Sequence, residues 1–256
     1  MLDFTGKTVI VTGSGSGIGK GIALLFAKQG ANVAVNSVRQ DTGDDTMRII
    51  KEEIGRKSIF VQGDVSTSEI SKKLIERTIE TFGRIDILVN NAGITICGDI
   101  EETSEEEYDR VMDVNVKSAF LMSKFTVPHM RKAGGGVIVN MSSCVAFRAQ
   151  RKRAVYAATK SAMMALTKNM ALDYISENIR VNCICPGAVY TEKMEERFLY
   201  EGDGDREKGL EFYKNYQPTG RLGKDSEIAA AVLFAACEEA SFMDGSAIVI
   251  DGGRTL

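Results

Sequence analysis

The chain has 256 residues, with 32 basic and 35 acidic side chains and a formal charge of −3. At 44% hydrophobic and 26% charged it has an ordinary globular composition, which excludes wholesale disorder, and it lacks the basic surplus of a nucleic-acid binder. Its most apolar stretch, residues 228–237, falls far short of the roughly 18 residues of a membrane span. The first residues lack the apolar run of a signal peptide, so the expectation is a cytoplasmic chain with neither a membrane nor a nucleic-acid partner. Five cysteines form no Cys-x-x-Cys and the single histidine, His129, has none nearby, so no metal centre is expected. The odd count reads as reduced thiols, mostly core filler, with Cys183 and Cys185 on one face of a strand.

Strand and helix patterns alternate along the chain. Residues 7–12 (KTVIVT) form a β-branched run ending in glycines, and Ile18, Ile22, Leu25 and Phe26 then recur at helical spacing until Gly30. A strand at 32–35, a helix at 41–54 and a strand at 58–61 follow. Ser66 with Glu69 predicts a capping box for a helix that Gly83 ends, before the strand at 85–90. Thr103 with Glu106 predicts a second capping box. Long helical patterns lead to a strand at 137–141, a helix at about 154–176 and a strand at 179–185. Asp225 is expected to cap a helix over 227–237, and residues 247–250 form the last strand. Seven apolar strands separated by helices predict one α/β domain: a doubly wound, Rossmann-type parallel seven-stranded sheet with helices on both faces. The charged, glycine-bearing segment 192–209 stands apart and reads as a mobile insertion.

The chemistry gathers at strand ends. TGSGSGIG, residues 12–19, lies at the first strand-to-helix turn, where glycines let the backbone approach a pyrophosphate and the helix N-terminus offers free N–H groups. The fourth strand ends in Asn90-Asn91-Ala92-Gly93, whose small residues leave room for an adenosine ribose, and Asp64 after the third strand either faces the adenine or caps its own turn. Tyr156 and Lys160 are i,i+4 neighbours on a predicted helix. A cation there favours the phenolate and makes tyrosine a usable general acid or base. Ser143, thirteen residues upstream of Tyr156 at a strand end, offers a hydroxyl to the same reacting oxygen.

Taken together these motifs resemble the short-chain dehydrogenase/reductase family of the single-domain type, over essentially the whole chain. TGSGSGIG, Gly63-Asp64-Val65, NNAG, Asn115 in Asp-Val-Asn-Val, Ser143, YAATK, Pro186-Gly187 and Asp251-Gly252-Gly253 occur in the family's order and spacing. The resemblance implies a hydride transfer between a nicotinamide cofactor and a ketone or secondary alcohol, with no metal. It implies Tyr156 as proton donor or acceptor, and Ser143 rather than the adjacent Ser142 as the hydroxyl that positions the substrate oxygen. Lys160 would favour the phenolate and hold the nicotinamide ribose, and Asn115 would support a water-linked proton relay. The cofactor contacts it implies run through Gly13, Ser16, Gly17, Ile18, Gly19, Ser37, Arg39, Asp64, Val65, Asn91, Ala92, Gly93, Pro186, Gly187 and Thr191, together with Tyr156 and Lys160.

Ser37 stands where NAD-selective relatives carry an acid, and Arg39 is placed to pair with a 2′-phosphate, which favours NADP(H) over NAD(H). Ser16, in place of a basic residue, and the apolar Val38 point the other way. Arg148, Arg151, Lys152 and Arg153 crowd the segment that joins Ser143 to Tyr156, and suit either an anionic substrate or a solvated rim or subunit contact. The chain is also similar to 3-oxoacyl-carrier-protein reductases, but Glu177 replaces the basic carrier-docking residue those enzymes often place before the sixth strand. A dinucleotide-binding regulator without catalysis and an extended-type nucleotide-sugar enzyme are the other readings; the latter usually needs a larger C-terminal substrate domain than the 70 residues after Pro186. The resemblance further implies a homotetramer or homodimer, and residues 189–216 are expected to form a substrate lid.

Overall fold

The β-branched runs pair into one parallel sheet. Its strands are β1 (Thr8–Val11), β2 (Asn32–Ser37), β3 (Ser58–Gln62), β4 (Ile87–Asn90), β5 (Gly136–Met141), β6 (Ile179–Pro186) and β7 (Ala247–Ile250), in the order β3-β2-β1-β4-β5-β6-β7. Every neighbouring pair is parallel. The computed structural model describes residues 2–192 and 194–256; Met1 and Lys193, the latter inside the expected lid, lie outside the described residues.

The helices are α1 (Gly17–Lys28), α2 (Gln40–Arg48), α3 (Ser68–Phe82), α4 (Glu105–Met112), α5 (Ser118–Lys132), α6 (Ala154–Tyr174), α7 (Met194–Glu201), α8 (Arg206–Tyr216) and α9 (Asp225–Ala236). Alternate strand residues face opposite layers. Val9, Val11, Val33, Val35 and Val89 pack with Ile22 and Phe26 of α1 and Val232 and Leu233 of α9. Ile10, Ala34, Leu88 and Ile138 pack with Leu74 of α3, Met122 and Met130 of α5 and Met170 of α6. Each fully buried aliphatic side chain contributes about 2 kcal/mol, and a one-residue slip would exchange the two faces, so the alternation fixes the register.

Several expected caps shift by one residue. Thr67, not Ser66, caps α3, its Oγ1 accepting from the Ile70 amide at 3.4 Å; the Ser66 amide is taken by the Asp64 carboxylate. Ser104, not Thr103, caps α4 in a capping box closed by Glu107, while the Thr103 hydroxyl donates to the Asp99 carbonyl. Adjacent hydroxyls compete in both places, and the preceding Asp turn engages the first. Asp225 is already helical, and the Glu227 carboxylate accepts from the Lys224 amide before it. Gly83 ends α3 in the left-handed region, φ 78°, as its position predicts. Unanticipated are two π turns, Ile49–Glu53 after α2 and Asp113–Lys117 between α4 and α5.

The segment after β6 is not featureless. Met194, Phe198 and Tyr213 of α7 and α8 form a small core of their own, edged by Ala188, Leu210 and Leu222. A Cβ on Gly209 would stand 1.8 Å from the Phe198 carbonyl oxygen, so the two helices meet backbone to backbone. Cys144, Cys183, Cys185 and Cys237 are buried and Cys97 is exposed; the Cys183 and Cys185 sulfurs lie 3.7 Å apart on one face of β6.

Candidate active site

Between β1 and β4 the strand order reverses, the place at the carboxyl edge of a sheet of this kind where ligands bind. The two loops are stitched together there. The Asn91 and Ala92 amides both donate to Thr12 Oγ1 at 3.0 Å, and Asn91 Nδ2 donates to the Thr12 and Gly13 carbonyls at 2.9 and 3.2 Å. Gly13 and Gly17 adopt φ of 63° and 52°. A Cβ on Gly19 would lie 2.4 Å from both the Gly13 carbonyl oxygen and Asn91 Nδ2. Ser16 opens α1 with no side-chain bond to the helix, Ile18 is half-buried behind it, and no acid sits in the first turn. The α1 N-terminus therefore keeps its positive end for an external anion.

Ser37 is buried at the end of β2, where its Oγ accepts from the Arg39 amide at 3.1 Å and lies 3.1 Å from Thr42 Oγ1. The Arg39 guanidinium is turned away onto Asp41, whose carboxylate, with Glu192 farther off, holds it above its ordinary range. At Asp64 partial burial opposes ionisation, but the Ser66 amide and the Arg110 guanidinium, 2.6 Å away, outweigh it and hold the carboxyl below the usual range. Asp64 thus braces its own turn, while Val65 is buried in the core beside α3. Thr191 Cγ2 lies 3.2 Å from where a Cβ on Gly17 would begin, so the chain after β6 comes back over the glycine loop. Gly187, after Pro186, has room for no side chain against Gln217 and Asp251. Gln217 also bolts the neck of the following hairpin, accepting from the Ala188 amide and donating to the Ala188 and Arg221 carbonyls.

The reactive cluster lies beyond β4 and β5. Lys160 is 6% exposed, its Nζ donating to the Met141 carbonyl at 2.9 Å and standing 5.7 Å from the Tyr156 ring centroid. A Cβ on Gly93 would lie 3.6 Å from that Nζ. The two serines separate clearly. Ser142 is buried and donates to the Lys160 carbonyl at 2.7 Å, which makes it a strut. Ser143 is half-buried, and its Oγ accepts a long bond of 3.4 Å from the Val145 amide. Tyr156 is half-buried as well. Asn115 sits in the Asp113–Lys117 π turn. Its Oδ1 accepts from the Ile94 amide at 2.8 Å, and its Nδ2 donates to the Ile94 carbonyl at 2.9 Å and Thr159 Oγ1 at 3.0 Å. Its carboxamide therefore fastens the loop after Gly93 to the helix that carries Tyr156.

The basic segment disperses. Lys152 pairs with Glu102, Arg153 is 4% exposed and pairs with Glu201 of α7, Arg151 is exposed, and Arg148 donates to the Arg254 carbonyl. Two residues the motifs did not single out join the site. Arg197 of α7 reaches Thr95 Oγ1, beyond Gly93, and Arg254 stacks on Tyr216. Neither lies in a spaced motif, and only the folding of the last turn and of α7 brings them in. Among the described residues no cluster of histidine, cysteine or acidic side chains suits a metal ion.

A glycine loop at the sheet's reversal point, with a phenol, a hydroxyl and a buried ammonium beyond it, defines a single-domain dinucleotide-dependent oxidoreductase site. The profile of a family described as enoyl-(acyl carrier protein) reductase matches residues 13–255. An uncharacterized oxidoreductase of Thermotoga maritima is 48% identical over 254 residues, covering 99% of each chain. The 3-oxoacyl-[acyl-carrier-protein] reductase of the same organism is 36% identical over 251 residues, 98% of each. The L-sorbose reductase of Gluconobacter frateurii, solved with NADPH and L-sorbose, superposes with a TM-score of 0.94 at 33% identity, over 99% of this chain and 98% of that one. The chain belongs to the short-chain dehydrogenase/reductase family, and it is an NAD(P)-dependent oxidoreductase of alcohol and carbonyl groups.

Gly19→Ala tests the glycine loop. Its Cβ meets backbone and the Asn91 amide at 2.4 Å, so nucleotide affinity should fall at least about tenfold in a fluorescence titration with NADPH, alongside a lower Tm.

Proposed function

We propose that this protein interconverts a ketone and its secondary alcohol with NADP(H), Tyr156 exchanging the proton. One observation carries the reading: beyond the glycine loop stand a half-buried phenol and a half-buried hydroxyl, with the buried Lys160 ammonium 5.7 Å from the phenol ring. The bound nicotinamide supplies or accepts the hydride. In the reducing direction Ser143 donates to the substrate carbonyl oxygen and polarises it. Tyr156 O–H gives its proton to that oxygen, and the Lys160 charge stabilises the phenolate left behind. Ser142 and the Met141 carbonyl hold Lys160 in place, where its ammonium would also hold the nicotinamide ribose. Asn115 holds the π turn against Ile94 and Thr159, and so supports a proton path toward Lys160. Tyr156→Phe should lose about 10²–10⁴-fold in kcat with NADPH affinity kept, measured by initial rates and fluorescence titration. Near-normal kcat would remove Tyr156 from this role.

The preference for NADP(H) rests on the second strand's end. No carboxylate at Ser37 repels a 2′-phosphate, and Arg39 needs only to leave its exposed pair with Asp41 to meet one. The relative solved with NADPH supports the same choice. Ser37→Asp should shift kcat/KM toward NAD, and a wild type already faster with NAD would sink this assignment.

The carrier-protein alternative is weakened by charge. Glu177 engages Arg131 through two bonds, at 2.7 and 2.9 Å, and so neutralises the basic residue beside it. Free thiols at Cys183 and Cys185 fit a cytoplasmic setting. Among the described residues, no helix is long and apolar enough to cross a membrane.

The hairpin within 189–216 we assign as a substrate lid. Arg197 reaches Thr95 and Arg153 pairs with Glu201, which ties α7 to the segments after β4 and before α6 and supports a closed pose that shuts out water. Hydrogen exchange should show residues 195–213 gaining protection when NADP and a substrate analogue bind. Equal, strong protection in both states would mean a fixed element.

Exposed apolar side chains on the outer helices and at the end of the chain favour a homo-oligomer, a homotetramer above all: Phe120 of α5, Leu172 of α6 with Ile175 beyond it, and Phe234, Phe242 and Leu256. A monomer in sedimentation at micromolar concentration would refute it.

A further inference from the structure

Beyond β7 the chain makes a tight turn in which the Asp251 carboxylate accepts the Gly253 and Thr255 amides at 2.9 and 2.8 Å. The turn leaves Arg254 only 5% exposed. Its guanidinium lies 3.6 Å from the Tyr216 ring centroid and donates to the Tyr216 hydroxyl, yet its Nε has no hydrogen-bond partner and no carboxylate pairs with it among the described residues. A buried guanidinium with an unpartnered N–H is costly, and the carboxylate oxygens of Asp251, the acid in the same turn, accept backbone amides.

The neighbours of Arg254 place it at the reacting end of the crevice. Its carbonyl accepts Arg148 Nη1 at 2.6 Å, from the segment that joins Ser143 to Tyr156. Its charge acts on the Cys144 thiol, which follows Ser143 directly, against burial and the Asp251 carboxylate. Arg148 Nη1 also reaches the Leu256 oxygen at 3.3 Å, so it braces the turn that carries Arg254. A buried guanidinium with an unpartnered Nε is therefore tied, through its own carbonyl and Arg148, to the segment that follows Ser143. Contact with the Tyr216 ring and hydroxyl holds the Arg254 guanidinium in place, and its planar fork suits bidentate binding of an anionic oxygen group.

We propose that Arg254, backed by Arg148, receives an anionic oxygen group of the substrate, so that the preferred substrate is a small carbonyl compound bearing a carboxylate or a phosphate. This rests on reading the site as a ketone reductase. The test uses two matched pairs as probes with NADPH, acetoacetate against methyl acetoacetate and dihydroxyacetone phosphate against dihydroxyacetone. It is run on wild type, R254Q, R254K and R148Q, and calorimetry measures acetoacetate and inorganic phosphate binding to each NADP complex. In wild type the charged member of at least one pair should lead in kcat/KM by on the order of 10²-fold. R254Q should bring that member down to the level of its neutral partner, while R254K keeps part of the lead and R148Q lowers it. Which pair shows the lead separates carboxylate from phosphate. Equal kcat/KM within about threefold in both pairs, or a lead that survives in R254Q, would overturn the proposal while turnover of the neutral ketones left the reductase reading standing. If no ketone is turned over, that reading fails, and the binding arm still decides: anion affinity lost in R254Q and kept in R254K supports the subsite, and equal affinity in all variants overturns it. Should R254Q fail to fold, R254K and R148Q carry the same comparison.

Discussion

Everything at this site depends on two amides converging on one hydroxyl. β1 and β4 are neighbours in the sheet but 79 residues separate Thr12 from Asn91, and the Thr12 hydroxyl receives the Asn91 and Ala92 amides where the strands end. That junction, tightened by the Asn91 side chain, sets how the glycine loop faces the chain beyond Gly93. Cofactor loop and reactive cluster are thereby held as one frame, and the helices on either face press the strands into it.

Within that frame the reactive groups are held from behind. Lys160 is anchored at its head by the Met141 carbonyl, and its own carbonyl is held by Ser142. Both partners lie at the end of β5, next to Ser143. Strand and helix are thus tied through Lys160, while Ser143 and Tyr156 stay half-buried beside it.

Much of this was legible in the sequence, for a physical reason. Strands such as KTVIVT and the glycines beside them are local signals, set by side-chain branching and backbone freedom within a few residues. The seven strands and the single α/β domain followed from that pattern. Pairs such as Ser66 and Thr67, or Thr103 and Ser104, were not resolvable, because either hydroxyl satisfies the pattern and the neighbouring Asp turn decides. The π turn at Asp113–Lys117 leaves no trace in composition, since the same residues suit an α-helix. Asn91 read as space for a ribose, and its second task as a clamp on Thr12 and Gly13 needed strand pairing to be seen. Arg254 was silent, because its meaning comes from Tyr216 and Arg148, which lie 38 and 106 residues away.

The neck bolted by Gln217 has a consequence for how such a protein diversifies. One side chain ties Ala188, where the chain leaves the sheet, to Arg221, where it returns. Between these points α7 and α8 bury their apolar residues mainly against each other. The hairpin is therefore a cassette on a closed stem: its length and composition can be exchanged without disturbing strand register.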